Sequence, residues 1–137
     1  MFRKLEIGQN KTRAALINFN SYPYELFNFL NFQNIANIEN IINGINYNGG
    51  GTNTAEALKL ANDRILQESL GMRPERSGVP KIVIVLTDGE SNDYTLTINE
   101  AKLIKNRGIN IISIGVGNLK EQELIDMATS LNDVYKV

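Results

Sequence analysis

Ile82-Val83-Ile84-Val85-Leu86 is an unbroken run of branched aliphatic residues, entered through Pro80-Lys81 and left through Thr87-Asp88-Gly89. A run this short, with no polar alternation, predicts a strand buried on both faces, as in a parallel sheet. Ile109 to Val116 repeats the pattern. Parallel neighbours need a crossover of about a dozen residues or more, and the segment between the two runs supplies one. Thr97 and Glu100 stand at capping-box spacing, ahead of a helix through Ala101 and Ile104 to Gly108. Asn118 with Glu121 opens another helix, through Leu124 and Met127, and Asp133 to Val137 reads as a final strand.

Upstream the periodicity differs. Arg13 to Phe19 and Tyr24 to Leu30 read as two strands joined by Asn20-Ser21-Tyr22-Pro23, which is turn chemistry and close enough for an antiparallel hairpin. Ile35, Ile38, Ile41, Ile42 and Ile45 recur at helical spacing as far as Gly44. Phe2 to Ile7 resembles the last turns of a helix stopped at Gly8. A glycine-rich loop, Asn48-Gly49-Gly50-Gly51-Thr52, leads into a helix that Asn53 can cap with Glu56 at the third position. Ala57, Leu58, Ala61 and Ile65 form its buried stripe, and residues 71–80 are a surface loop. Strands alternating with helices predict an α/β domain with a mostly parallel sheet and one antiparallel hairpin. The 137 residues suffice for one domain.

Composition narrows the chemistry. Fourteen basic and 15 acidic residues leave a formal charge of -1, which gives neither the basic footprint of a nucleic-acid binder nor a polybasic patch for anionic lipid. No stretch is long and apolar enough to insert in a membrane. Cysteine and histidine are both absent. That removes disulfides, thiolate metal sites, a Ser-His-Asp triad and the commonest zinc ligand. Asparagine is abundant, with 19 residues, of which 11 fall in the first 50. Asn10-Lys11-Thr12 is formally a glycosylation acceptor, at about the frequency chance gives in so Asn-rich a chain.

Ligands of open α/β sheets gather at the carboxyl ends of the strands. Asp88 directly follows a strand, and Thr52 lies in a glycine-rich loop before a helix. One anionic and one neutral oxygen donor, completed by waters, suit a hard divalent cation such as Mg²⁺. Taken singly, Asp88 also reads as a turn-capping carboxylate and Thr52 as a plain helix-start residue. Glu90 and Asp93 read as solvated loop charges. Gly49-Gly50-Gly51-Thr52 lacks the Gly-Lys-Ser/Thr of a phosphate loop, and Gly115-Val116-Gly117 lacks the third glycine of a dinucleotide fingerprint.

Gly50-Gly51-Thr52-Asn53-Thr54-Ala55-Glu56-Ala57-Leu58, Ile82 to Ser91 and Ile112-Ser113-Ile114-Gly115-Val116-Gly117 together resemble a von Willebrand factor type A domain, across nearly the whole chain. Ile7-Gly8 with Asn10-Lys11-Thr12-Arg13 resembles that family's entry to its second strand. The resemblance implies a Rossmann-like three-layer fold and a metal-ion-dependent adhesion site, in which Thr52 is the threonine ligand and Asp88 the aspartate after the fourth strand. The family's remaining ligands lie in an Asp-x-Ser-x-Ser loop after its first, central strand, and no such motif occurs in this sequence. The resemblance therefore implies a partial domain over residues 1–137, lacking that strand and the family's last helix, with two facing strand edges left open. It implies Mg²⁺, or Mn²⁺ or Ca²⁺, for the complete domain and weak or no metal binding for the chain as it stands.

Two binding functions follow from the resemblance. One is an extracellular adhesion or matrix module that binds a protein such as collagen or another matrix or cell-surface protein. The alternative is an intracellular scaffold with a degenerate metal site, consistent with the absence of a visible signal peptide. A third reading, an α/β enzyme with Asp88 as nucleophile or metal-bound acid, lacks a histidine or lysine at a suitable strand end. The expected role is binding, not catalysis.

Overall fold

The computed structural model describes residues 5–31 and 34–137. Strands β1 (Leu16–Phe19) and β2 (Pro23–Phe27) form an antiparallel hairpin, with Phe19 opposite Pro23 and Leu16 opposite Phe27. Helix α1 (Ile35–Asn43) follows, and then α2 (Thr54–Leu60), which continues as a π-helical turn over Ala61–Ile65. Strand β3 (Ile82–Thr87), helix α3 (Tyr94–Asn106), strand β4 (Asn110–Gly115), helix α4 (Glu121–Met127) and strand β5 (Val134–Lys136) complete the chain. β3, β4 and β5 form a parallel sheet in that order. This is the α/β architecture read from the sequence, hairpin included.

The helices form where the caps and apolar stripes place them. Asn34 accepts the Asn37 N–H at 2.9 Å and starts α1, whose Ile38 is fully buried beside Ala14 and Phe27. Asn53 caps α2 by accepting the Glu56 N–H at 3.3 Å. Ala57, Leu58, Ala61 and Ile65 are all buried, as their spacing predicts. Leu58 and Ala61, together with Ala101, Ile104, Leu124 and Met127, turn the helices towards Val83, Val85 and Ile111 on one face of the parallel sheet. Ile17 of the hairpin reaches this main cluster, whereas Leu16 packs in the α1 cluster. The hairpin is thus covered on both faces.

Local expectations fail where a nearer side chain takes the backbone bonds. Phe2 to Lys4 lie outside the described residues, and Leu5 to Ile7 are not helical. Ile7 instead bridges Thr12 across a turn in which the Gly8 N–H reaches the Thr12 carbonyl at 3.0 Å. β2 ends at Phe27, not Leu30, because Asn28 Oδ1 accepts the Leu30 N–H at 3.0 Å and bends the chain. Helix α3 starts at Tyr94, three residues ahead of the Thr97–Glu100 box. Asp93 caps it by accepting the Leu96 N–H at 2.9 Å, and Thr97 is buried inside the helix. Asn118 does not cap α4, whose preceding residue is Lys120 with no side-chain cap bond. Met72, in the segment expected to be a surface loop, is buried in the main core.

The largest departure concerns β3. The expectation of burial on both faces fails, because Ile82, Ile84 and Leu86 are 53%, 41% and 59% exposed while Val85 and Thr87 are buried. Ile84 lies beside Ile112, Leu86 beside Ile114, and Ile114 beside Tyr135. The uncovered face is therefore apolar across all three strands. Among the described residues β3 pairs with β4 on one side only, no ladder joins it to the hairpin, and its other edge has no strand partner.

Burying one aliphatic side chain fully is worth about 1.5–3 kcal/mol, and an unpaired apolar edge templates strand addition. The chain is expected to self-associate in sedimentation velocity as concentration rises, and Ile84→Lys to shift it towards monomer. A monodisperse wild-type monomer at high concentration contradicts this.

A second prediction concerns the bond that ties the π-helical turn to the hairpin. Arg64 Nε donates to Glu25 Oε2 at 2.6 Å, and Asn28 Nδ2 to Glu25 Oε1 at 2.8 Å. The Arg64 guanidinium holds the Glu25 carboxyl below the usual glutamate value, against the opposing effect of burial. The folded state then binds fewer protons than the unfolded one as acid is added. The stability this contributes is complete above the unfolded pKa and is lost as pH falls through the lower folded value. Arg64→Met should flatten the acid limb of urea midpoint against pH. An unchanged limb would exclude Glu25 as a contributor.

Candidate functional site

β1 and β3 end at Phe19 and Thr87, and the segments that follow them meet the glycine-rich loop. The Asn53 N–H donates to the Asn20 carbonyl at 2.7 Å. The Gly51 N–H donates to Ser21 Oγ at 2.9 Å, and Asn53 Nδ2 to the Ser21 carbonyl at 3.2 Å. On the other side, the Thr52 N–H donates to Asn92 Oδ1 at 2.9 Å, and the Asn92 N–H returns to the Thr52 carbonyl at 2.8 Å. Thr52 is therefore held by its backbone between the two sheets. Asn53 uses its own N–H on Asn20, so the predicted box is closed only in the cap-to-Glu56 direction.

Thr52 faces the loop after β3. A Cβ on Gly89 would stand 2.8 Å from Thr52 Oγ1 and could not be accommodated without a shift. The hydroxyl thus packs directly on the residue that follows Asp88. Asp88 is exposed at the strand end. The turn bonds there belong to its neighbour: Thr87 Oγ1 donates to the Gly89 carbonyl at 2.9 Å and accepts the Gly89 N–H at 3.3 Å. The helix start belongs to Asn53, not to Thr52. The capping duties that either residue could have served are carried by adjacent side chains.

The remaining loop charges are engaged elsewhere. Glu90 pairs with Lys120 at 2.8 Å and Asp93 caps α3. Among the described residues no group of three or more Asp, Glu, His or Cys side chains is placed to hold a metal. Thr52 and Asp88 are oxygen donors, which matches the preference of hard divalent cations that retain several waters.

Three residues that the sequence did not single out hold this rim in place. Asn92 and Ser21 clamp the glycine-rich loop from either side. Glu123, in the first turn of α4, is buried, and its two carboxylate oxygens lie 3.2 and 3.3 Å from the Ser91 N–H they accept. A glutamate at a helix start is expected on dipole grounds alone, so nothing in the pattern distinguishes Glu123 from Glu121. Only the tertiary fold brings it under the 88–92 loop.

The family model for the von Willebrand factor type A domain matches residues 1–137. The chain belongs to this family. It is similar to the mouse collagen alpha-6(VI) chain, with 31% identity over the whole of this chain and 6% of that protein. It is also similar to chicken matrilin-3, with 32% identity over 98% of this chain and 29% of that protein. The chain therefore spans a small part of the curated relatives it matches. Among solved structures, proximal thread matrix protein 1 from the mussel byssus aligns with a TM-score of 0.83 at 26% identity, over 92% of this chain and 32% of the other. A structure of that mussel protein described as having a zinc-occupied MIDAS motif aligns at 0.82 and 27% identity, over 96% of this chain and 32% of the other.

Within this VWA domain, Glu123→Ala should cost about 1–3 kcal/mol, as expected for a buried group losing its partner, and should speed hydrogen exchange at the Ser91 amide. Glu123→Gln keeps an acceptor and should retain most of the protection. Equal exchange in all three proteins would show that the 88–92 loop is held without α4.

Proposed function

We propose that this VWA domain binds a protein of the extracellular matrix at the rim formed by Thr52 and Asp88, through a divalent cation. The observation that carries the reading is the packing of Thr52 Oγ1 on Gly89, beside an Asp88 that the turn does not use. Two hard oxygen donors fit Mg²⁺, Mn²⁺ or Ca²⁺, and a chain without cysteine or histidine offers no thiolate or imidazole ligand to compete. When bound, such a cation supplies a positive, exchangeable position for a carboxylate of the partner. Thr52 and Asp88 would hold it, and waters would fill the rest of its shell. With two protein donors the affinity is low.

The partner class and the extracellular setting rest on the relatives, whose names are those of collagens, a matrilin and a byssal matrix protein. Collagen is the first matrix protein to test. The same relatives support binding over catalysis.

Mn²⁺ is the suitable probe, since its paramagnetism reports weak occupancy. Added to isotopically labelled protein, it should broaden the amides of residues 51–53 and 88–89 before any others. Asp88→Ala should weaken that effect tenfold or more, and Gly89→Ala should weaken it by displacing Thr52. Mg²⁺-dependent capture on immobilised collagen should fall in parallel. Broadening that ignores both substitutions, or that centres on other carboxylates, would refute the assignment of Thr52 and Asp88.

A further inference from the structure

We propose that Asn10 is a site of N-linked glycosylation. This inference rests on the extracellular reading above, because the modification requires entry into the secretory lumen. The acceptor motif needs Asn, any residue but Pro, then Ser or Thr. Asn10 is the only one of the 19 asparagines that meets it. Sequence alone gives that triplet no more weight than chance. The fold adds its placement.

Asn10, Lys11 and Thr12 are all exposed, at the tip of a tight turn ahead of β1. The turn is closed by main-chain bonds: Gly8 N–H to the Thr12 carbonyl, Lys11 N–H to the Gly8 carbonyl, and Thr12 N–H to the Glu6 carbonyl, each 3.0 Å. Two arginines brace it from outside the triplet's side chains. Arg13 Nε donates to the Gln9 carbonyl at 2.9 Å, and Arg73 Nη2 donates to the carbonyls of Gln9 and Lys11 at 3.2 and 2.5 Å. Every one of these bonds ends on a backbone carbonyl. Transfer from a lipid-linked oligosaccharide diphosphate would form a bond between the first sugar carbon and Asn10 Nδ2. It would break that carbon's bond to the diphosphate, which leaves with the lipid, and release one amide proton. The transfer would displace none of the bonds that close and brace the turn.

The turn also lies at the opposite end of β1 from the Thr52 rim. The turn precedes Leu16, whereas the rim begins at Asn20, after β1 ends at Phe19. A glycan on Asn10 would project away from the proposed binding edge and leave it open to a large matrix partner. The other 18 asparagines lack the hydroxyl residue at the third position, and several are committed to the fold through their side chains, as are Asn34, Asn53 and Asn92.

The test is expression of the full chain behind a cleavable secretion signal in animal cells, with electrophoresis of microsomal and medium fractions before and after peptide N-glycosidase. One mobility step is expected, removed by the enzyme with conversion of Asn10 to Asp. Asn10→Gln and Thr12→Ala should abolish it, and Thr12→Ser should preserve it. Because transfer occurs in the lumen, the microsomal fraction reports it even where a variant folds poorly. A protease-protected wild-type chain with no step overturns the proposal and leaves the binding function intact. Location is read separately, by finding the native protein in secreted or cytosolic material.

Discussion

The exchange between Thr52 and Asn92 decides how this molecule holds together. Two backbone-directed bonds of 2.9 and 2.8 Å join the glycine-rich loop to the loop after β3. Ser21 and Asn20 join the same glycine-rich loop to the end of β1. Among the described residues no ladder connects the hairpin to the parallel sheet, so ties such as this rim hold the halves together. The main core adds to it, where Ile17 and Phe29 pack against the cluster that includes residues of α2, α3 and β4, as does the Arg64–Glu25 bond. Gly51 favours the close approach, since a Cβ there would stand 3.0 Å from both terminal atoms of Asn92 and press on them.

The parts of the fold legible in the sequence are those set by short-range chemistry. The stripe of Ala57, Leu58, Ala61 and Ile65 and the cap Asn53 act within a turn or two of themselves, and the structure places them accordingly. The β3 and β4 runs declare their pairing, but not their exposure. Ile82, Ile84 and Leu86 have the composition of a doubly covered strand while one face stays open, because burial depends on what lies across the sheet and not on the strand itself. The Thr97–Glu100 spacing misleads for a related reason. It competes with Asp93, a better cap four residues earlier that also lets Thr97 turn inward. Asn92 and Glu123 were not legible as rim residues, since each acts on a partner about 30 or 40 positions away.

An open sheet and an ordered rim coexist because they draw on different interactions. Sheet continuity supplies ladder bonds and doubly buried aliphatics, and both are lacking along the outer edge of β3. The rim relies on amide and carboxylate groups reaching across loops, which need only their own few partners. Asn92 binds the Thr52 backbone, Glu123 binds Ser91, and Lys120 binds Glu90 at 2.8 Å. Each anchors a different point of the segment between β3 and α3. Local opening of such a segment is governed by its own contacts, not by global stability. A domain with an uncovered edge strand can therefore keep Gly89 against Thr52. The converse also holds: covering the apolar face of β3 would raise stability without changing the loop contacts of the rim. Under the proposed cation-binding function, metal affinity and fold stability then respond to separate sets of residues, with Gly89 and Asp88 in one and Ile84 and Leu86 in the other.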